Sequence, residues 1–95
     1  MQHYAWNAAK NDVLKRERGV SFEDVVLHIA AGDEVDLFAH PDQERYPGQQ
    51  ISVVRIEDYV YPVPFVESEH EIFLRTITPS RKAMKQYGRE SNAQT

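Results

Sequence analysis

The sequence predicts an α+β domain with two helices near the N-terminus, an antiparallel sheet, and one C-terminal helix. Three observations carry this. Phe22, Val25, Val26, Ile29 and Ala30 recur at helical spacing. Beyond Gly32 the period shortens toward two, and β-branched and aromatic residues dominate stretches such as ISVVRIED and YVYPVPFVES. Those strands follow one another without intervening helices, which selects hairpins over alternating parallel units.

Each element has its own local reason. QHYAW reads as a short strand, and NAAKNDVLKRERG as a helix with Asn7 as its N-cap and Gly19 as its stop. Ala9, Val13 and the stem of Arg16 fall on one face of that helix, leaving Lys10, Lys15 and Arg18 to water. Ser21 precedes Asp24 by three positions, close to a capping box, so a second helix starts there and ends at Gly32. EVDLFAH then alternates Val35, Leu37 and Ala39 against Asp36, Phe38 and His40, as a strand does. The polar loop PDQERYPGQQ is bracketed by Pro41 and the Pro47-Gly48 turn signal.

ISVVRIED and YVYPVPFVES form a hairpin about Glu57-Asp58, with Pro62 and Pro64 two apart as on an edge strand or a bulge. HEIFLRTITP is the last strand, ended by Pro79. Ser80 caps a helix running to about Gly88, and RESNAQT reads as a flexible tail. A single domain over residues 1–88 with a tail at 89–95 is therefore expected; a chain of 95 residues buries roughly 60–65 % of its unfolded surface.

Composition narrows the function. The chain is 41 % hydrophobic and 27 % charged, with apolar runs too short to span a bilayer. MQHYAWNAAK lacks a basic segment followed by an apolar core, so no secretory signal is expected. Absence of cysteine excludes disulfides and thiolate metal sites and fits a cytoplasmic location. The net charge of −4 is unevenly spread: +2 over residues 1–18, −10 over 19–71 and +4 over 72–95. Screening confines each field to about 8–10 Å, so a basic patch formed where the two ends meet would draw a polyanion to an acidic protein. The alternative is a solvated helix face.

The glycines at 19, 32, 48 and 88 are isolated, so no phosphate loop exists. His3, His28, His40 and His70 lack the close spacing of a zinc site, and no nucleophile elbow is present; no metal or cofactor is expected. What remains is a basic cluster, RTITPSRKAMKQYG. Arg81 and Lys85 share a helix face, and Arg75 and Lys82 lie nearby in sequence. A guanidinium donates paired hydrogen bonds to phosphate and stays charged. Tyr87 is placed either to stack on a base or to pack the helix on the sheet. His40 is either a general base or a half-exposed loop histidine, with Tyr46 beside it in the loop. Trp6 anchors the first helix, and Tyr59 and Tyr61 share a strand face.

The segments YAWNAAKN and RGVSFEDV, with TITPSRKAMKQY at the other end, resemble the BrnT toxin family. The matching residues are Tyr4, Trp6, Asn7, Lys10, Asn11, Gly19, Val20, Ser21, Phe22 and Glu23, then Arg81, Lys82, Ala83 and Tyr87, in order over nearly the whole chain. The resemblance implies a RelE-like fold and a metal-independent ribonuclease of a bacterial toxin–antitoxin pair that stops translation by cutting RNA. By position it carries over Arg81 and Lys82; together with the basic cluster and loop read above, the expected catalytic residues are Arg75, Arg81, Lys82 and His40, and the expected RNA-binding ones Lys10, Tyr46, Lys85 and Tyr87. It also implies an antitoxin encoded beside the chain, often DNA-binding, in a hetero-oligomer. The chain departs from the family at Glu17-Arg18-Gly19, where many relatives carry Lys-His-Gly, and at Thr76, where they carry the strand arginine that Arg75 precedes by one. Those departures leave a second expectation, a noncatalytic interaction module of the same fold.

Overall fold

Asn7 and Ser21 start the two N-terminal helices. In the computed structural model, which describes residues 2–88, Asn7 Oδ1 accepts the Lys10 N–H at 2.9 Å and opens α1 (Ala8–Arg18). Gly19 closes α1 at φ 67°, a left-handed conformation that costs a residue with a side chain about 1–2 kcal/mol. Ser21 and Asp24 complete a reciprocal capping box for α2 (Phe22–Ala30), at 3.1 Å to the Asp24 N–H and 3.0 Å from the Ser21 N–H. The tail expected over 89–95 lies outside the described residues.

Among the described residues five strands form one sheet in the order β1-β5-β4-β3-β2: β1 (His3–Ala5), β2 (Glu34–Ala39), β3 (Gln49–Ile56), β4 (Tyr59–Glu67) and β5 (Glu71–Leu74). The fold class is α+β. Strands β2 to β5 pair antiparallel, as hairpin succession requires, but β1 runs parallel to β5, so the sheet is mixed. No short turn links β1 to β5, and only a short turn forces neighbours to be antiparallel.

The two faces of the sheet carry different helices. Val54, Ile56, Val63, Phe65 and Leu74 meet Leu14 of α1 and Phe22 and Val25 of α2. Trp6 stacks on Phe22 with ring centroids 5.7 Å apart, and Phe22 is fully buried, so Phe22→Ala would cost about 3–5 kcal/mol. On the other face Val53 and Val60 meet Ala83 of α3 (Arg81–Ala83), with Met84 and Tyr87 from the π-helical turn Met84–Gly88 that continues it.

The inner face of α1 is not the one expected. Asn11 and Leu14 are buried, whereas Ala9 and Arg16 are exposed. Asn11 earns its buried place through polar bonds to α2: its Oδ1 accepts the Phe22 N–H at 2.8 Å and its Nδ2 donates to Glu23 at 2.7 Å. Along β2 the expected alternation is broken by a bulge between Glu34 and Asp36. Val35 then packs with the α3 cluster while Leu37 faces the opposite side and is 50 % exposed.

Pro62 and Pro64 sit on β4, the central strand, not on an edge. Their missing N–H groups fall on the side of β5. In return their carbonyls accept N–H bonds from Thr78 (3.1 Å) and Arg75 (2.8 Å). With no donor to give back at either position, the β4–β5 pairing stops, and β5 ends at Leu74 instead of running to Pro79.

Candidate nucleic-acid interface

Strand alternation places Arg75, just beyond the end of β5, on the α3 face of the sheet. There it lines a cleft of about 310 Å³ with His40, Tyr46, Gln49, Pro64 and Thr76. Arg75 alternates with Leu74, which is buried beneath the α1/α2 face. The cleft therefore joins three residues singled out by sequence, Arg75, His40 and Tyr46, which are up to 35 positions apart. Among the described residues no carboxylate lines it.

The loop between β2 and β3 is wired from within. Gln43 Nε2 donates to the carbonyls of His40 (2.8 Å) and Gln49 (3.0 Å), and its Oε1 accepts the Gly48 N–H at 3.0 Å. Asp42 accepts the Arg45 N–H on its side chain at 3.1 Å and the Tyr46 N–H on its carbonyl at 2.9 Å. The His40 and Tyr46 rings lie 4.4 Å apart, and His40 Nδ1 is bonded to the Asp42 N–H at 3.0 Å. Gln43 and Gln49 were not singled out by sequence; only their place in a turn-rich polar loop hinted at side-chain bonds to backbone.

A second groove of about 270 Å³ lies on the same face, lined by Phe38, Pro41, Ile51, Val53, Pro62, Ser80, Lys82, Ala83, Gln86 and Tyr87. It adjoins the first, since His40-Pro41 and Ile51, which pairs with Pro64, belong to one or the other wall. Ser80 Oγ caps the short α3 by accepting the Ala83 N–H at 3.1 Å. The Tyr87 hydroxyl donates to Asp36 Oδ2 at 2.5 Å, and Arg55 donates to the Tyr87 carbonyl at 3.0 Å. Tyr87 thus ties this segment to β2 and β3. The hydroxyl bond, followed by the Leu37 N–H on the same carboxylate, holds the Asp36 pKa below its ordinary value.

Arg81 and Lys85 are exposed on the α3 segment and line neither groove. Among the described residues the ion pairs are Lys15–Glu23, His28–Asp33 and Arg45–Asp42. Arg75, Arg81, Lys82 and Lys85 belong to none of them. Lys10 has no place in this interface, because α1 packs on the opposite face of the sheet. The two basic chain ends expected to meet are separated by the sheet. Arg18 reaches toward the C-terminal segment, donating to the Ile77 carbonyl at 3.0 Å. Among the described residues no group of three or more His, Asp or Glu side chains converges as a metal site would, and no helix is long and apolar enough to cross a membrane.

Comparison with family models, curated proteins and solved structures finds no match for this chain.

Proposed function

We propose that this chain is a metal-independent endoribonuclease, the toxin of a bacterial toxin–antitoxin pair acting in the cytoplasm. The observation that carries the reading is a cleft whose described lining holds a guanidinium, an imidazole and a phenol but no carboxylate, on the surface of a protein whose net charge is −4. Such a cleft favours a polyanion, and the unpaired Arg81, Lys82 and Lys85 extend the positive field along one face. The resemblance of the two chain ends to BrnT toxins points the same way.

In this reading an RNA strand crosses the open sheet face, with one phosphodiester beside Arg75. The 2′-oxygen attacks the adjacent phosphorus in line, the P–O5′ bond breaks, and a 2′,3′-cyclic phosphate and a 5′-hydroxyl result. Arg75 stabilises the charge that grows on the non-bridging oxygens, a contribution worth about 10²- to 10³-fold for one well-placed donor. Lys82, Arg81 and Lys85 hold flanking phosphates, and Tyr46 offers a ring for a base. An antitoxin encoded beside the toxin covers this face in the resting complex, a hetero-oligomer.

The test is expression in a bacterial host. Growth arrest with RNA breakdown, relieved by Arg75→Ala and by co-expression of the neighbouring gene, supports the reading. A second reading, a noncatalytic module that binds a partner through the same face, has one observation in its favour: among the described residues no carboxylate lines the cleft to take the 2′-proton. Expression without any effect on growth or RNA would favour it.

A further inference from the structure

We infer that His40 serves this cleft as a neutral hydrogen-bond donor through Nε2, and not as the general base that its residue type suggests. The inference deepens the ribonuclease reading and rests on it. It starts from one bond: the Asp42 backbone N–H donates to His40 Nδ1 at 3.0 Å. A backbone amide has only a proton to offer, so Nδ1 presents its lone pair to the loop. Neutral imidazole then carries its single N–H at Nε2, the nitrogen left for a ligand.

A general base requires the reverse arrangement, a lone pair turned toward the substrate. Moving the proton to Nδ1 would set N–H against N–H and leave the Asp42 amide without an acceptor. The loop cannot relax easily to avoid this. Gln43 bonds three backbone groups within it, and the Asp42 carbonyl is committed to the Tyr46 N–H. The Tyr46 ring, 4.4 Å away, packs beside the imidazole. The Asp42 carboxylate is turned to Arg45, through the Arg45 N–H at 3.1 Å and the Arg45 Nε at 3.7 Å. Of the described residues lining the cleft, Arg75 alone bears a permanent charge.

His40 and Arg75 then act as a pair of donors toward one phosphate. As the O2′–P bond forms and the P–O5′ bond breaks, charge builds on the non-bridging oxygens and both donors bind more tightly. His40 keeps its proton throughout. Water takes the proton of the 2′-hydroxyl, and water returns one to the 5′-oxygen. A neutral imidazole used as an electrophile in this way is established chemistry for enzymes that stabilise an oxyanion.

The experiment compares wild type, His40→Gln and His40→Ala on a single-stranded RNA oligonucleotide from about pH 5.5 to about pH 9. Glutamine offers an amide N–H near the position of Nε2 and has no basic nitrogen. The expected result is that His40→Gln retains kcat/KM within about tenfold of wild type while His40→Ala loses about 10²- to 10³-fold, with wild type and His40→Gln sharing one pH profile. Amide spectra of both variants establish that the fold is kept. The inference is overturned if His40→Gln is as slow as His40→Ala, or if wild type shows an acid limb that His40→Gln lacks. A wild-type chain that cuts no RNA overturns the ribonuclease reading itself, and the inference with it.

Discussion

The Arg75 N–H donates to the Pro64 carbonyl at 2.8 Å, and Pro64 has no N–H to return. This one-sided bond is where the sheet stops pairing and the cleft begins. A proline on β4 therefore decides the length of β5 and leaves the arginine just beyond its end.

Replacing Pro64 by valine restores the missing donor. The new amide at 64 is expected to bond to the Arg75 carbonyl, extending β5 past Leu74. Slow amide exchange at 64 and 75 would report it, with stability changed by no more than about 1 kcal/mol. RNA cleavage is expected to fall, because the arginine becomes part of a regular strand.

Gln43→Ala removes the three bonds that hold the 40–49 loop in shape. The residue is exposed, so global stability should change by less than about 1 kcal/mol, while amide exchange across the loop accelerates. Cleavage is expected to drop about 10- to 100-fold, since His40 and Tyr46 lose their fixed positions.

Asn11→Ala leaves the buried Phe22 N–H without its acceptor at 2.8 Å. The expected cost is about 2 kcal/mol in chemical denaturation. Asn11→Asp keeps an acceptor but sets a carboxylate against Glu23, so at neutral pH it should be less stable than Asn11→Ala, with part of the loss recovered in acid.

Tyr87→Phe deletes the principal cause of the lowered Asp36 pKa, the phenolic hydrogen bond. The folded-state pKa lies below the ordinary 3.8, so this carboxylate favours the folded state above that value. The contribution disappears as pH falls through the folded pKa. A carboxyl-carbon titration by NMR should show the Asp36 pKa moving up in Tyr87→Phe. The stability of the variant should approach that of wild type only in strong acid.

What the sequence made legible was local. Asn7, Gly19, Ser21 and Asp24 act within three or four residues of themselves, and their caps form as their side chains dictate. Glu57-Asp58 likewise turns β3 into β4. The inner face of α1 was not legible, because Asn11 is buried through bonds to α2 that no hydrophobic count registers. Nor was the parallel β1–β5 pairing, which joins residues nearly 70 positions apart. Arg75, His40 and Tyr46 were each nameable by chemistry; their meeting was not, since it depends on the prolines of β4 and on the Gln43 bonds. The separation of the two basic ends follows from α1 and α3 packing on opposite faces, a choice made by Leu14 and Ala83 burying against different sides of the sheet.

The most direct test is cleavage of a single-stranded RNA by the purified chain in the presence of chelator. Product ends are identified by mass spectrometry, with Arg75→Ala as the matched variant. Fragments ending in a 2′,3′-cyclic phosphate, formed about 10²- to 10³-fold more slowly by Arg75→Ala, are the expected result. RNA left intact by the wild-type chain, or cut equally fast when Arg75 is alanine, would contradict the account.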